Sequence, residues 1–209
     1  MPVSINKDLK PIIFVHVQKV GGHSIRNSLE KAGYRWAKNV NKHEKPINIP
    51  HIGEYFSFAF VRNPFDVCVS RFLYHHREDK KNETDMLYQR FPNNKEGFNL
   101  WINSLKTDNI WHNTSKFGSL WPYASVKPQK EFLSNEDDSI CVDFIGKFEN
   151  FNDDFQKICD IIGCMNYLED FHLNKSIRQK NYKEYYDNSS VETIKSLYKK
   201  DLEYFNYEF

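Results

Sequence analysis

Pro11 to Glu30 reads PIIFVHVQKVGGHSIRNSLE, an apolar run that breaks into a Gly-Gly turn and then into a helical pattern. Ile12, Ile13, Phe14, Val15 and Val17 make a short, β-rich and nearly continuous apolar run, as a strand covered on both faces requires. Gly21 and Gly22 let the backbone turn sharply and approach a ligand closely, and Ser24 stands where a helix N-cap would stand. The helix that follows carries Ile25 and Leu29 on one face and ends near Gly33. Amides at a helix N-terminus, the positive end of its dipole and Lys19 at the loop entrance together make an anion site. The stretch predicts strand, phosphate loop, helix. Lys19 precedes the glycines, whereas the ATP/GTP loop GxxxxGK[ST] places its lysine after them, so this loop is of another kind.

Around it, 209 residues, 40% hydrophobic and 16% aromatic, fit one α/β domain with a sizeable core. Lys plus Arg (29) nearly balances Asp plus Glu (28), so no global basic footprint for nucleic acid or membrane exists and any anion site is local. No run approaches the ~18 apolar residues of a membrane span, and MPVSINKDLK lacks the apolar core of a signal peptide, from which a cytoplasmic protein is expected. The four cysteines, Cys68, Cys141, Cys159 and Cys164, show no CxxC pairing and read as free, mostly buried thiols. The histidines are scattered apart from His75-His76, and no metal site is expected.

Further along, Tyr34 to Ile52 is polar and without sustained period, a loop region well placed to bring His43 or His51 over the strand ends. Tyr55 to Val61 (YFSFAFV) predicts a second buried strand, closed by Arg62-Asn63-Pro64 with a helix from Phe65 to about Arg77. Residues 78–139 turn polar and then aromatic, with a helix over 97–105 and the remainder read as an insertion or lid. Phe98, Trp101, Trp111, Phe117, Trp121 and Tyr123, with His112, Asn113, Lys116 and Gln129, suit sugar faces, although core packing accounts for the same tryptophans equally. Ser139 to Asn150 predicts a third strand, and Asp153 to Gly163 a helix with Asn152 as N-cap and Gly163 as C-cap. A terminal helix starts near Ser190, with a Ser189 and Glu192 capping box and a stripe of Val191, Ile194, Leu197, Tyr198, Leu202 and Phe205.

HVQKVGGHS resembles the 5′-phosphosulfate loop of the sulfotransferase family, especially its glycan O-sulfotransferase branch, with His23 where threonine is common. FAFVRNPFDVCVSRFLYHH resembles that family's 3′-phosphate motif, Arg62 matching the arginine and Ser70 the serine eight residues on; Val67 stands where many members carry a second arginine. DFIGKFEN, with Lys147 for the usual arginine, and LYKKDLEYFNYEF are similar to later family segments, so the resemblance spans roughly half the chain in the right order. It implies an α/β, P-loop-like three-layer fold with a mostly parallel central sheet flanked by helices. It also implies transfer of a sulfuryl group from 3′-phosphoadenosine 5′-phosphosulfate (PAPS) to a hydroxyl of a carbohydrate or glycan, without a metal.

In that scheme Lys19, Gly21, Gly22, His23 and Ser24 bind the 5′-phosphosulfate, and Lys19 also stabilises the leaving phosphate. Arg62 and Ser70 grip the 3′-phosphate, and Arg178, with Asn174 and Ser176, closes over the nucleotide. His43 or His51 is the general base, with His23 the next to consider. Two other classes remain: a non-catalytic nucleotide- or glycan-binding relative, and a P-loop-like kinase, which would need a lysine after the glycines and an acidic magnesium site.

Overall fold

The computed structural model describes residues 2–4, 9–36, 44–49, 52–77, 90–107, 127–170 and 181–209. In chain order they form β1 (Pro2–Ser4), β2 (Ile12–Val15), α1 (Gly22–Lys31), β3 (Tyr34–Trp36), β4 (Phe56–Val61), α2 (Pro64–His75) and α3 (Lys95–Thr107). There follow α4 (Gln129–Leu133), β5 (Phe144–Lys147), α5 (Phe151–Ile162), α6 (Asn188–Leu197) and α7 (Lys199–Phe205). The fold is α/β, a parallel three-stranded sheet flanked by helices in the P-loop-like manner expected from the sequence. No described helix is long and apolar enough to cross a membrane.

The described residues gather into two compact units. The first, from Met1–Arg62 and Gln129–Lys175, holds the sheet. Its strand order is β2-β4-β5, all parallel, with Phe14 opposite Phe58 and Val15 opposite Ala59 on one side, and Val61 opposite Lys147 on the other. Every residue of β2 is buried, as are Ser57 to Val61 of β4, so the continuous apolar runs reflect burial on both sheet faces. The Phe14 and Phe58 rings stack at 5.1 Å across the parallel pair. Where β4 begins, the Asp143 carboxylate accepts from the Ser57 N–H (2.8 Å) and hydroxyl (2.7 Å), and the Asp143 N–H donates back to the Ser57 carbonyl (2.9 Å). That exchange pins the β4–β5 register before the ladder starts. The short β1 pairs antiparallel with β3 as a separate ribbon.

Two local expectations need correction here and a third holds. The third strand is only Phe144–Lys147; Phe148–Asn150 is a 3₁₀ turn leading straight into α5, which starts at Phe151, so Asn150 rather than Asn152 is the N-cap. An isolated bridge between Ser134 and Ile140 takes up the earlier part of the apolar run. Gly163 does close α5, in the left-handed region at φ 71°.

The second unit, from Asn63–Pro128 and Ser176–Phe209, is helical in its described residues. Pro64 occupies the first position of α2, where its missing N–H costs nothing, and the Asn63 side chain accepts from the Phe65 N–H at 3.1 Å. On α3, Phe98, Trp101, Ile102 and Leu105 follow the helical i, i+3, i+4, i+7 spacing and pack against Phe65, Phe72, Tyr186, Ile194 and Tyr198. Asn99 ties α3 to the start of α6, donating to the Tyr185 carbonyl at 2.8 Å and accepting from the Asp187 N–H at 3.0 Å. The capping box of α6 is Asp187 with Ser190, two residues earlier than the expected Ser189 and Glu192, because Asp187 supplies a carboxylate at the true N-cap. The apolar stripe beyond it divides between α6 and α7.

Phe98 and Trp101 are fully buried core residues, which removes them from the sugar-stacking set; Trp111, Phe117, Trp121, Tyr123, His112, Asn113 and Lys116 lie outside the described residues. His76 is equally internal, its ring nitrogens 2.8 Å from the Phe72 and Phe91 carbonyls. Among the cysteines Cys68 and Cys159 are buried and Cys141 and Cys164 half-buried; burial pushes the Cys68 thiol up to about 12. Trp101→Ala is expected to cost about 3–5 kcal/mol, read by urea unfolding. A loss below about 1 kcal/mol would show that this ring does not carry the core of the unit.

Candidate functional site

The loop expected to hold phosphate begins where β2 stops. After Val15 the chain turns at once, the Val17 N–H donating to the Val15 carbonyl at 3.1 Å. Two left-handed residues, Lys19 (φ 64°) and Gly21 (φ 79°), then bracket Val20, whose side chain is fully buried. The apolar Val20 anchors the loop to the core, and the left-handed turns on either side of it reverse the chain. Glycine adopts that region without strain, whereas lysine at φ 64° is held there at a cost of roughly 1–3 kcal/mol.

Gly21 is the N-cap of α1, and its carbonyl accepts from the Ser24 N–H (2.9 Å) and the Ile25 N–H (3.3 Å). Ser24 is therefore a buried residue inside the first turn and not the N-cap expected from the sequence; the glycine carbonyl closes the turn without side-chain help. Its amide is committed to that bond, which leaves the hydroxyl as its group for a ligand. The N–H of Gly22, first residue of the helix, has no acceptor within the helix and sits at the positive end of its dipole. Ile25 and Leu29 bury completely beneath the helix, as expected, and it ends at Lys31 with Gly33 two residues on.

Close packing fixes the two glycines. A Cβ on Gly22 would lie 1.9 Å from Nε2 of His16, and one on Gly21 would lie 2.7 Å from Cζ of Phe151. His16 is buried, stacked on Phe14 with centroids 5.4 Å apart and edge-on to the exposed His23 at 6.2 Å. Phe151 in turn packs on Phe60 of β4 at 5.2 Å and on Phe148 at 5.5 Å.

Arg62 follows the last residue of β4. Its Nη1 donates to the Lys19 carbonyl at 3.0 Å, and its guanidinium lies 4.0 Å from the centroid of the Phe148 ring. The residue is 6% exposed. The two stretches singled out in the sequence thus meet at the carboxyl ends of neighbouring parallel strands, the place where open α/β sheets bind ligands. Between His16 and Ser24 there is no carboxylate, so the loop offers the Lys19 ammonium, amides and a hydroxyl without an acid to repel an anion.

Of the remaining expected site residues, Ser70 is buried on α2 in the second unit, while His43, His51 and Arg178 lie outside the described residues. Sequence reasoning missed His16, Phe148 and the role of Gln129. The last was expected among sugar contacts, but it is 4% exposed and its amide is bonded to the Arg62 backbone. Nothing in KPQKEF signals that bond, and HVQ does not reveal which way a histidine at a strand end packs.

An α/β protein that gathers phosphate-type donors at the ends of adjacent parallel strands is a nucleotide- or phosphoanion-handling protein. A family model described as the sulfotransferase family matches residues 4–208, essentially the whole chain, and the chain belongs to that family. It is a transferase acting by sulfuryl transfer. No curated protein matches it.

Gly22→Ala is expected to lower both the melting temperature and the affinity of the loop for an anionic nucleotide, because the new methyl enters the His16 ring. His16→Ala in the same chain removes the obstacle and should restore part of that affinity. Equal affinities for the single and double variants, measured by calorimetry, would mean that His16 does not shape the loop.

Proposed function

We propose that the protein transfers the sulfuryl group of PAPS to a hydroxyl of a carbohydrate or glycan acceptor. The observation that carries this reading is the 3.0 Å contact between Arg62 and the Lys19 carbonyl, since it brings the loop expected to bind phosphosulfate next to the start of the expected 3′-phosphate motif. The donor supplies an activated sulfuryl group on a phosphate leaving group. The loop fits such a ligand, being lined by Lys19, the Gly22 amide and the Ser24 hydroxyl, with no acid between His16 and Ser24.

In this reading Lys19 and the loop amides of Gly21, Gly22 and His23, with the Ser24 hydroxyl, bind the phosphosulfate end. The Lys19 ammonium offsets the charge that grows on the departing phosphate oxygen, an interaction stronger in the transition state than in the ground state. Arg62, with Ser70 and Arg178 on the strength of the sequence motifs, holds the nucleotide. A histidine, His43 or His51, takes the proton of the acceptor hydroxyl, since a neutral imidazole is the side-chain base suited to neutral pH. Carbohydrate as acceptor rests on the likeness of HVQKVGGHS to the glycan branch.

Calorimetry with 3′-phosphoadenosine 5′-phosphate against ATP tests the donor: the first should bind more tightly, and preference for ATP would sink the reading. Lys19→Ala should lose roughly 10²-fold in turnover, as for loss of one preorganised transition-state donor, and near-normal turnover would take Lys19 out of the chemistry. Arg62→Ala should weaken nucleotide binding by roughly 2 kcal/mol.

One of His43→Ala and His51→Ala should abolish turnover while leaving nucleotide binding intact, and wild-type activity should fall as pH drops through the imidazole's pKa, where the base becomes protonated. Full activity in both variants would place the base elsewhere, with His23 next to examine.

A further inference from the structure

Gln129 opens α4, and its carboxamide closes on the backbone of a single residue. Oε1 accepts the Arg62 N–H at 2.9 Å, and Nε2 donates to the Arg62 carbonyl at 2.7 Å. The edge of a neighbouring strand would offer the same acceptor and donor, so the side chain stands in for a strand where β4 has run past Val61, its last residue paired with β5. Both partners are buried, and water does not substitute easily for either bond.

With its N–H and carbonyl both held, the backbone torsions of Arg62 are fixed, and with them the direction in which its side chain leaves the strand. That side chain makes the bond to the Lys19 carbonyl and stacks on Phe148. We propose that Gln129 is a positioning residue of the donor site: through the Arg62 backbone it aims the guanidinium that binds the nucleotide and ties down the phosphate loop. The inference rests on the donor reading above and adds to it a residue, 67 positions from Arg62 in the chain, that acts without touching the ligand.

The test is a double-mutant cycle. Gln129→Met keeps the side-chain length and removes both hydrogen-bonding atoms. Affinity for 3′-phosphoadenosine 5′-phosphate is measured by calorimetry for the wild type, Gln129→Met, Arg62→Ala and the double variant, each checked for cooperative melting. Gln129→Met is expected to weaken binding about tenfold in the wild-type background and less than about twofold once Arg62 is alanine, because the two act as one unit. Equal losses in both backgrounds, or no loss in the wild type, would overturn the proposal, whereas a stability defect alone would appear in both.

Should Gln129→Met not fold, Gln129→Glu retains the acceptor for the Arg62 N–H and runs through the same cycle, which cancels its added charge by carrying it in both backgrounds. Failure of the wild type to bind the nucleotide would remove the donor reading and this inference with it. Wild-type binding with additive variants would remove this inference alone.

Discussion

The hydrogen bond from the Arg62 guanidinium to the Lys19 carbonyl spans 43 residues of sequence, and the proposed anion site depends on it. For that bond to form, β2 and β4 must be parallel neighbours in the register that sets Val15 opposite Ala59. Arg62 then stands three residues beyond one member of that pair and Lys19 four beyond the other, both leaving the sheet at its carboxyl edge. At about 3.3 Å of rise per residue, a register slip of two residues would carry the guanidinium some 7 Å from the carbonyl. The stacked Phe14 and Phe58 rings hold these two strands against such a slip, while the Asp143 exchange with Ser57 fixes β5 on the other side of β4.

The electrostatics of the site follow from burial. A guanidinium withdrawn from water is costly unless its N–H groups find acceptors, and the carbonyl with the Phe148 face supplies part of what water gave up. An anionic ligand would supply more, so the same desolvation that is unfavourable in the free protein strengthens binding. The strain at Lys19 belongs to the same account. Its left-handed backbone is held by Val20 buried on one side and by Arg62 bonded to its carbonyl, and the ammonium is thereby presented from a fixed base.

The second unit shows why aromatic residues misled in one direction. Phe98 and Trp101 carry the helical spacing of α3 as clearly as any core residue, yet with 17 Phe and 12 Tyr in the chain a ring at such spacing is compatible with a packed interior and with a stacking platform. Burial separates the two, and it is a property of the assembled helices.

Strand, loop and helix over 11–33, the buried strand before Arg62-Asn63-Pro64 and the α/β class were legible because each rests on local rules: apolar runs without alternation, a Gly-Gly break, proline at a helix start. The family too was legible, since its motifs are contiguous. Helix starts were less so. Asn150, Gly21 and Asp187 are the N-caps where Asn152, Ser24 and Ser189 were expected, because several residues able to cap stand within one turn and the path of the chain selects among them. Tertiary structure alone decided that His16 fills the space beside Gly22, that Phe148 receives the Arg62 guanidinium and that Gln129 serves backbone and not sugar. Each is a contact between residues remote in sequence or at the irregular end of a strand, where no periodicity states which way a side chain points.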